Sequence, residues 1–458
     1  MPWTTTMPLL LCLLALHHGA VFARPSDWEE SGQRNILQGL SGENAIILPT
    51  QTWPTVRNEA LAGDMGSLDG QGLEEEEEED CQGEVSPKAL SRVAHGLMEL
   101  GADLLREMER REPQKNLIFS PFSIGMALAQ LALGAVNETE RLLLEALHAK
   151  QVPCFHQALS EMSVHLEGSA LRLAARIYLQ QGFPVKEAFL QDCKRLYGAR
   201  PATLSGDNEA DLQAINAWVK EATSGQVPNM MSELPADTVM VLLNAIHFQG
   251  LWVTRFDPQM TEPSPFYMEE EEEEEEVSTW VPMMKAQDYP LSWFTVEELD
   301  VQVARFPFEG NASLVAVLPN YFEGNFSQLL SALGPARLRG PFPKERPTAV
   351  QVPKVALQHR ADLKETLGHL GLGELFSSPR LPGIAEGPLW VSSAQHQAAL
   401  NISESGLEAS AATGLATSRS LSAFHLNRPF LFALFDDRLG LPLLLGCLRD
   451  PRSGDTKP

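Results

Sequence analysis

The chain has 458 residues, of which 44% are hydrophobic, and carries a formal net charge of −25 at pH 7. Its length and hydrophobic content predict one large or two smaller folded domains with a substantial core. No cluster of basic residues suggests a nucleic-acid partner. The motifs GxSxG, HExxH, GxxxxGK[ST] and CxxC do not occur in the sequence, so we expect neither an enzyme nor a bound cofactor or metal.

The first 85 residues are predicted to precede the folded domain. An apolar run at 7–16, followed by small residues that permit cleavage after Ala23, is typical of a secretory signal peptide and is too short to span a bilayer. Residues 24–85 are rich in Gly, Pro and Asn and include the acidic run 74–80, which predicts a disordered arm. We therefore expect a signal peptide at 1–23 and a soluble, secreted mature protein.

The folded domain is predicted to occupy residues 86–452, with 453–458 as a short tail. Apolar residues recur at helical spacing across 88–110 and again within 137–168, which predicts helices in both segments. A second acidic run at 269–276 interrupts a strand-like region and predicts a surface insertion. The two runs hold seven and eight acids, so without them the net charge would rise from −25 to −10. Both are interpreted as solvated low-complexity segments, with weak binding of divalent cations or of a basic partner as the alternative.

An unusual stretch lies between two apolar strands near the C-terminus. One strand is predicted to end near Ile402 and the other to include FHLNRPFLF, and between Glu404 and Arg419 the only charge is Glu408. In an extended chain, alternate side chains share one face. That face would carry Leu407, Ala409, Ala411, Thr413, Leu415 and Thr417. Such a face can be buried, as expected of a segment that can become a strand inside a sheet; an Ala/Ser-rich linker is the alternative.

This arrangement resembles the reactive-centre loop of the serpins. SESGLEASAAT, an arginine and FHLNRPFLF follow the order of that loop and of the closing signature, which falls at Asn427, Arg428, Pro429 and Phe430. NLIFSPFSIGMALAQLALGA, DLQAINAWVKEATSGQVPNM and VLLNAIHFQGLWVTRF also match, so the resemblance covers about residues 88–451. It implies an α+β fold with a large central sheet, further sheets, surrounding helices and an exposed loop, and it implies a protease inhibitor.

The resemblance implies that the loop is cleaved as bait and inserts into the central sheet. Arg419 is the only Lys or Arg between Arg380 and Arg428, so a protease whose specificity pocket holds a carboxylate is expected to cut the Arg419–Ser420 bond. The usual family spacing would place cleavage one residue later, at Ser420, and chymotrypsin-like cleavage near Leu421 is a further alternative. The expected hinge comprises Glu404, Gly406, Leu407, Glu408, Ala409, Ser410, Ala411, Ala412 and Thr413.

Five further residues are expected, by the same resemblance, to control opening of the sheet. Ser120, Ser123, Asn244 and His396 would form a polar cluster beneath the opening. Trp252 would cover the point where insertion begins. His396 is interpreted as a satisfied core histidine and not as a catalytic group.

The cysteines fit an oxidising compartment. Apart from Cys12 in the leader there are four, which permit three fully paired arrangements. The resemblance implies a disulfide between Cys81 and Cys154. Cys193 and Cys447 match no pair of the family and are expected to be buried thiols.

Four glycosylation sequons occur in the predicted domain, at Asn137, Asn311, Asn325 and Asn401. The first three fall where turns are expected, so we expect them to carry glycans. Asn401 lies in a predicted central strand and is expected to be unmodified.

Within the family, segments such as LRLAARIYLQQGFPVKEAFL and SAQHQAAL resemble an inhibitor of plasmin found in blood plasma. This implies a monomer that forms covalent complexes with plasmin and other trypsin-like serine proteases and restrains fibrinolysis. The arm would be a partner of fibrin through Gln33, Gln38 or Gln51. Only Lys457 follows the predicted fold, which argues against lysine-dependent docking on plasmin kringles and widens the set of target proteases.

The alternative is a non-inhibitory serpin that acts as a carrier or an extracellular binding protein. The small residues of the hinge argue against it, because a non-inserting loop does not require them. Leu407 is larger than the threonine often found at the first inward position.

Overall fold

The computed structural model describes residues 81, 83, 85–167, 169–235, 237–268, 277–321, 324–404 and 422–452. Within these ranges the helices are α1 (Pro87–Arg111), α2 (Pro121–Ala132), α3 (Asn137–Ala146), α4 (Phe155–His165), α5 (Glu187–Tyr197), α6 (Asn208–Ala222), α7 (Phe326–Arg339) and the short α8 (Lys364–Leu367). The strands are β1 (Leu117–Phe119), β2 (Leu171–Gln180), β3 (Ala202–Leu204), β4 (Met240–Phe248), β5 (Glu262–Met268), β6 (Val277–Val296), β7 (Val301–Phe308), β8 (Ala312–Pro319), β9 (Arg346–Pro353), β10 (Val355–Asp362), β11 (Val391–Ile402), β12 (Ser422–His425), β13 (Phe430–Asp436) and β14 (Leu441–Leu448).

The first helix shows how the local sequence sets an element. Ser86 caps α1 by accepting a hydrogen bond from the Ala89 backbone N–H at 3.3 Å, and Pro87 occupies the first helical position, where its missing N–H costs nothing. Arg110 and Arg111 lie in the last turn, where cations interact favourably with the helix dipole. The helix predicted at 88–110 is therefore present, extended by one residue at each end.

The central sheet contains five strands in the order β10, β11, β4, β2, β3. β10 and β11 are antiparallel, as are β2 and β4, whereas β11 and β4 run parallel from the pair Val391 and Met240 to the pair Leu400 and Phe248. β4 is buried along its whole length. The β11–β4 ladder is thus a parallel pairing at the middle of the sheet, flanked on both sides by antiparallel pairs.

The other nine described strands form one connected sheet, in which β6 joins two groups of strands. Its C-terminal part pairs with β7, which continues through β8, β13 and β14 to β1. The rest of β6 pairs with β5 and β9, and β9 pairs with β12. A large central sheet, a further sheet and surrounding helices confirm the predicted α+β class.

Helices cover both faces of the central sheet. α2 is buried at every position and contacts β2, β4 and β14, so it lies between the two sheets. On the opposite face, Ile215 and Val219 of α6 pack with Tyr178 of β2 and Val241 of β4 in a separate apolar cluster. Both faces of the sheet are therefore covered by helices at β2 and β4.

One disulfide joins Cys81 to Cys154, with their Cα atoms 5.3 Å apart, and this is the pair that the family resemblance implies. Cys193 and Cys447 are buried free thiols, also as expected. Burial raises the pKa of the Cys193 thiol to about 12 and that of Cys447 to about 11. Both therefore stay protonated and unreactive at neutral pH.

Candidate functional site

Four polar side chains meet beneath the middle of the β11–β4 ladder. His396 of β11 lies directly opposite Asn244 of β4 in the strand register. Asn244 Oδ1 accepts hydrogen bonds from His396 Nδ1 and, at 3.1 Å, from Ser123 Oγ. The Ser120 backbone N–H donates to His396 Nε2 at 3.1 Å. The structure therefore brings together Ser120, Ser123, Asn244 and His396, which come from three distant segments of the sequence.

The sequence SPFS positions the two serines of this polar cluster. Ser120 is the N-cap of α2 and accepts from the Ser123 backbone N–H at 3.0 Å, while Pro121 starts the helix. This cap holds the Ser123 hydroxyl toward β4 and the Ser120 N–H toward β11. The same short turn thus ties one helix end to both strands of the ladder.

The His396 imidazole is neutral, and both of its ring nitrogens take part in these hydrogen bonds. A backbone N–H can only donate, so Nε2 is the unprotonated nitrogen and Nδ1 carries the proton given to Asn244. Complete burial, and next the nearby His359, lower the pKa of His396 to about 3. Since the Nε2 lone pair accepts from the Ser120 N–H, and the Ser123 hydroxyl donates to Asn244, the imidazole has no lone pair left to activate a nucleophile. The arrangement holds strands together and does not resemble a catalytic pair.

Trp252 lies beyond the end of β4, apart from the polar cluster. Its Nε1 donates to the Ser403 carbonyl at 2.8 Å, and its ring stacks on Phe308 with centroids 4.1 Å apart. Ser403 directly follows β11. A nearly buried indole therefore covers the end of β11 from which the loop departs.

Glu404, the first residue of the expected hinge, is held in place by two partners. One carboxylate oxygen accepts from Thr261 Oγ1 at 2.7 Å, and the other pairs with Lys354 Nζ at 2.8 Å. Burial alone would raise the pKa of Glu404, but the bonds from Lys354 and Thr261 outweigh it, so the pKa is lowered. Sequence reasoning missed both partners, because neither lies near Glu404 in the chain and no local pattern marks them.

The remaining loop residues lie outside the described residues. These are the reactive bond at Arg419 and Ser420 and the hinge residues Gly406, Leu407, Glu408, Ala409, Ser410, Ala411, Ala412 and Thr413. Both ends of the loop are described. β11 ends at Ile402, and β12 starts at Ser422, in parallel pairing with β9.

The closing signature connects β12 to β13. Arg428 Nε donates to the Pro319 carbonyl at 2.6 Å, and the Asn427 carbonyl accepts from the Tyr267 N–H at 2.8 Å. Pro429 and the buried Phe430 lead into β13. These contacts fix the chain after the loop to β5 and β8.

The sequon asparagines are all exposed. Asn311 has a positive φ of 64° in the turn between β7 and β8, and Asn325 precedes α7 without using its side chain as a cap. Asn137 is the first residue of α3 and has a positive φ of 56°. Asn401 lies in β11, the central strand expected for it.

Residues 95–451 match the family model described as Serpin (serine protease inhibitor). The chain therefore belongs to the serpin family, which confirms the predicted family and, at the level of the family, the predicted inhibitor. It is 47% identical over 377 residues to alpha-2-antiplasmin from Bos taurus, covering 82% of this chain and 76% of the bovine protein. Alpha-2-antiplasmin from Mus musculus is 46% identical over 372 residues, covering 81% of this chain and 75% of the mouse protein.

The fold also matches solved structures. Human glycosylated kallistatin superposes with a TM-score of 0.71 at 28% identity, covering 80% of this chain and 99% of that structure. Among the described residues, no group of His, Cys, Asp or Glu could hold a metal ion. No helix in the described ranges is long and apolar enough to cross a membrane.

Proposed function

We propose that this chain is a secreted inhibitor of trypsin-like serine proteases, with plasmin as its main target, and that it restrains fibrinolysis. The observation that carries the proposal is the 47% identity to bovine alpha-2-antiplasmin across most of the chain. That relationship does not favour the non-inhibitory alternative. The proposed bait is the Arg419–Ser420 bond, since a cationic side chain suits a specificity pocket that holds a carboxylate.

The inhibitor would act as a suicide substrate. The protease serine attacks the Arg419 carbonyl carbon, the amino group of Ser420 leaves, and an acyl-enzyme forms. The freed segment that follows Glu404 would then turn back and enter the sheet between β11 and β4. Because β11 and β4 are parallel, a strand that reverses after β11 runs antiparallel to both.

Insertion would exchange one parallel ladder for two antiparallel ladders, whose pairing is slightly more stable per residue. About a dozen new ladder hydrogen bonds at roughly 1 kcal/mol each supply a driving force on the order of 10 kcal/mol. The small residues Ala409 and Ala411 on the inserting face would enter the core with little steric cost.

The contacts described above would control this movement. Separating β11 from β4 breaks the bond between His396 and Asn244, which join the two strands. Releasing the hinge requires Glu404 to leave Lys354 and Thr261. We assign the polar cluster to holding the ladder closed, and Trp252 with Glu404 to holding the end where insertion starts.

The proposal extends to the regions that flank the fold. A signal peptide at 1–23 would direct secretion into blood plasma, and a disulfide such as that between Cys81 and Cys154 persists in oxidising compartments. The domain would occupy 86–452 as a monomer, with an arm at 24–85 that supplies a fibrin contact and a tail at 453–458. Glycans are proposed at the exposed Asn137, Asn311 and Asn325.

The test is to mix the purified protein with plasmin and with trypsin and to look for a complex that survives denaturing electrophoresis. We expect a covalent band with each protease and a new N-terminus at Ser420. An Ala411→Glu variant should be cleaved without trapping the protease, because a charge on the inserting face opposes burial. Cleavage of the unaltered protein without any complex would overturn the proposal.

A further inference from the structure

A positively charged pocket lies beside the disulfide, on the side of the domain formed by α1, α3 and the end of α7. It encloses about 590 Å³ and is lined by Arg92 and His95 of α1, by Lys150 in the loop after α3, and by Arg339. None of these residues belongs to the polar cluster or to the proposed loop-insertion site. We call it the Arg92–Arg339 pocket.

The charges of this pocket are not balanced by its own carboxylate. Glu145 pairs with Lys150 at 3.3 Å and with Arg141 at 2.6 Å, so this single acid already serves two cations. Arg92 and Arg339 form no ion pair with any residue that the structure describes. A concave site with two guanidinium groups that form no ion pair within the described part of the chain has the charge and the hydrogen-bond donors that suit a carboxylate ligand.

The disulfide holds Cys81 close to this pocket, and an acidic segment directly precedes Cys81 in the sequence. Val152 lines the pocket and lies two residues before Cys154, whose partner is Cys81. Residues 76–80, immediately before Cys81, are four glutamates and an aspartate. Five residues span up to roughly 17 Å when extended. Starting from Cys81, this acidic segment can therefore reach into the pocket.

We propose that residues 76–80 bind in the Arg92–Arg339 pocket and pair with its two arginines. The tether gives the segment an effective concentration on the order of millimolar, which favours it over a free polyanion from solution. The disulfide would thus hold an acidic strap that links the start of α1, the loop after α3 and the end of α7.

Zero-length carbodiimide coupling tests the contact in the unaltered protein. The reagent joins a carboxylate to a lysine in direct contact, so peptide mass spectrometry should find Lys150 joined to residues 76–80. The pair of Glu145 and Lys150 is an internal control, because it should couple whether or not the strap is bound. Salt on the order of 0.5 M should reduce the strap product, since surface ion pairs are screened. Coupling to Glu145 alone would overturn the proposal.

A second measurement uses a labelled peptide, Glu-Glu-Glu-Glu-Asp, as the probe. Replacing Glu76, Glu77, Glu78 and Glu79 by glutamine should free the pocket, so this variant should bind the peptide about tenfold more tightly than the unaltered protein does. Adding Arg92→Glu and Arg339→Glu should abolish that binding. Lys220→Glu with Lys364→Glu is the matched control, which reverses two charges on α6 and α8, outside this pocket, and should leave binding intact.

The outcomes distinguish a pocket filled by residues 76–80 from one that is open to external polyanions. Equal binding by the unaltered protein and the glutamine variant would show a pocket open to external polyanions and would refute the strap. Absence of binding to the glutamine variant would also refute it. Each result can be read independently of whether the chain inhibits a protease.

Discussion

The hydrogen bonds beneath the β11–β4 ladder are expected to set the lifetime of the closed sheet. Replacing Asn244 by alanine removes the oxygen that accepts from Ser123 and His396 and leaves two buried donors without a partner. One unsatisfied buried donor costs about 1–3 kcal/mol, so loss of both bonds should lower the free energy of unfolding by about 2–6 kcal/mol. The bond between Asn244 and His396 exists only while β11 and β4 are paired, so the barrier to spontaneous insertion should also fall. A barrier lower by about 2 kcal/mol corresponds to an acceleration of about 30-fold.

Asn116→Ala is the matched control for this change. Asn116 Oδ1 also accepts two hydrogen bonds, from the N–H groups of Arg449 at 2.7 Å and Asp450 at 3.0 Å, but it does not touch the ladder. Urea unfolding would measure stability, and residual trypsin inhibition during incubation would measure loss of the active form. Asn116→Ala should lower stability while leaving the rate of activity loss nearly unchanged. If Asn244→Ala lost activity no faster than a control of equal stability, the assigned role of the polar cluster would be wrong.

Three further outcomes follow from the described contacts. The pKa of His396 is about 3 in the folded protein and 6.5 when free, so between those values the unfolded state binds one more proton. The free energy of unfolding should therefore decrease as the pH is lowered, by up to about 1.4 kcal/mol per pH unit. His396→Asn should weaken this slope in urea unfolding between about pH 6.5 and 5, and equal slopes would contradict the prediction. Lys354→Met should speed spontaneous loss of inhibition by releasing Glu404, whereas Lys285→Met, which removes a pair with Glu262, should not; equal rates would argue against a hinge lock. Cys193 and Cys447 should resist a thiol reagent at neutral pH until the protein is denatured, and rapid native labelling would contradict their burial.

Local pattern was sufficient for the elements with strong periodicity. The apolar spacing in 88–110 predicted α1 to within one residue at each end. β11 ends at Ile402, where the sequence predicted the end of the strand. The helical pattern in 137–168 became two helices, α3 and α4, because the intervening segment turns at Cys154, which has a positive φ of 54° and precedes α4. Periodicity identifies the type of element there but not the break.

The site could not be assembled from local pattern. Ser120 and His396 are 276 residues apart, and Asn244 is 152 residues from His396, so only the family resemblance suggested that they meet. Thr261, which is 143 residues from Glu404, was missed for the same reason. Contacts between residues so far apart in sequence are set by the order of strands in the sheet. Neither hydrophobic periodicity nor turn signals encode that order.

The parallel pairing of β11 with β4 has a consequence for how this protein can be improved or damaged. Substitutions that strengthen that ladder would raise the melting temperature while slowing the rearrangement on which trapping depends. Screening variants for thermal stability alone would therefore select molecules that are cleaved as ordinary substrates. Natural sequences of this kind are expected to keep the ladder below its attainable strength, with each molecule used once and then replaced by synthesis.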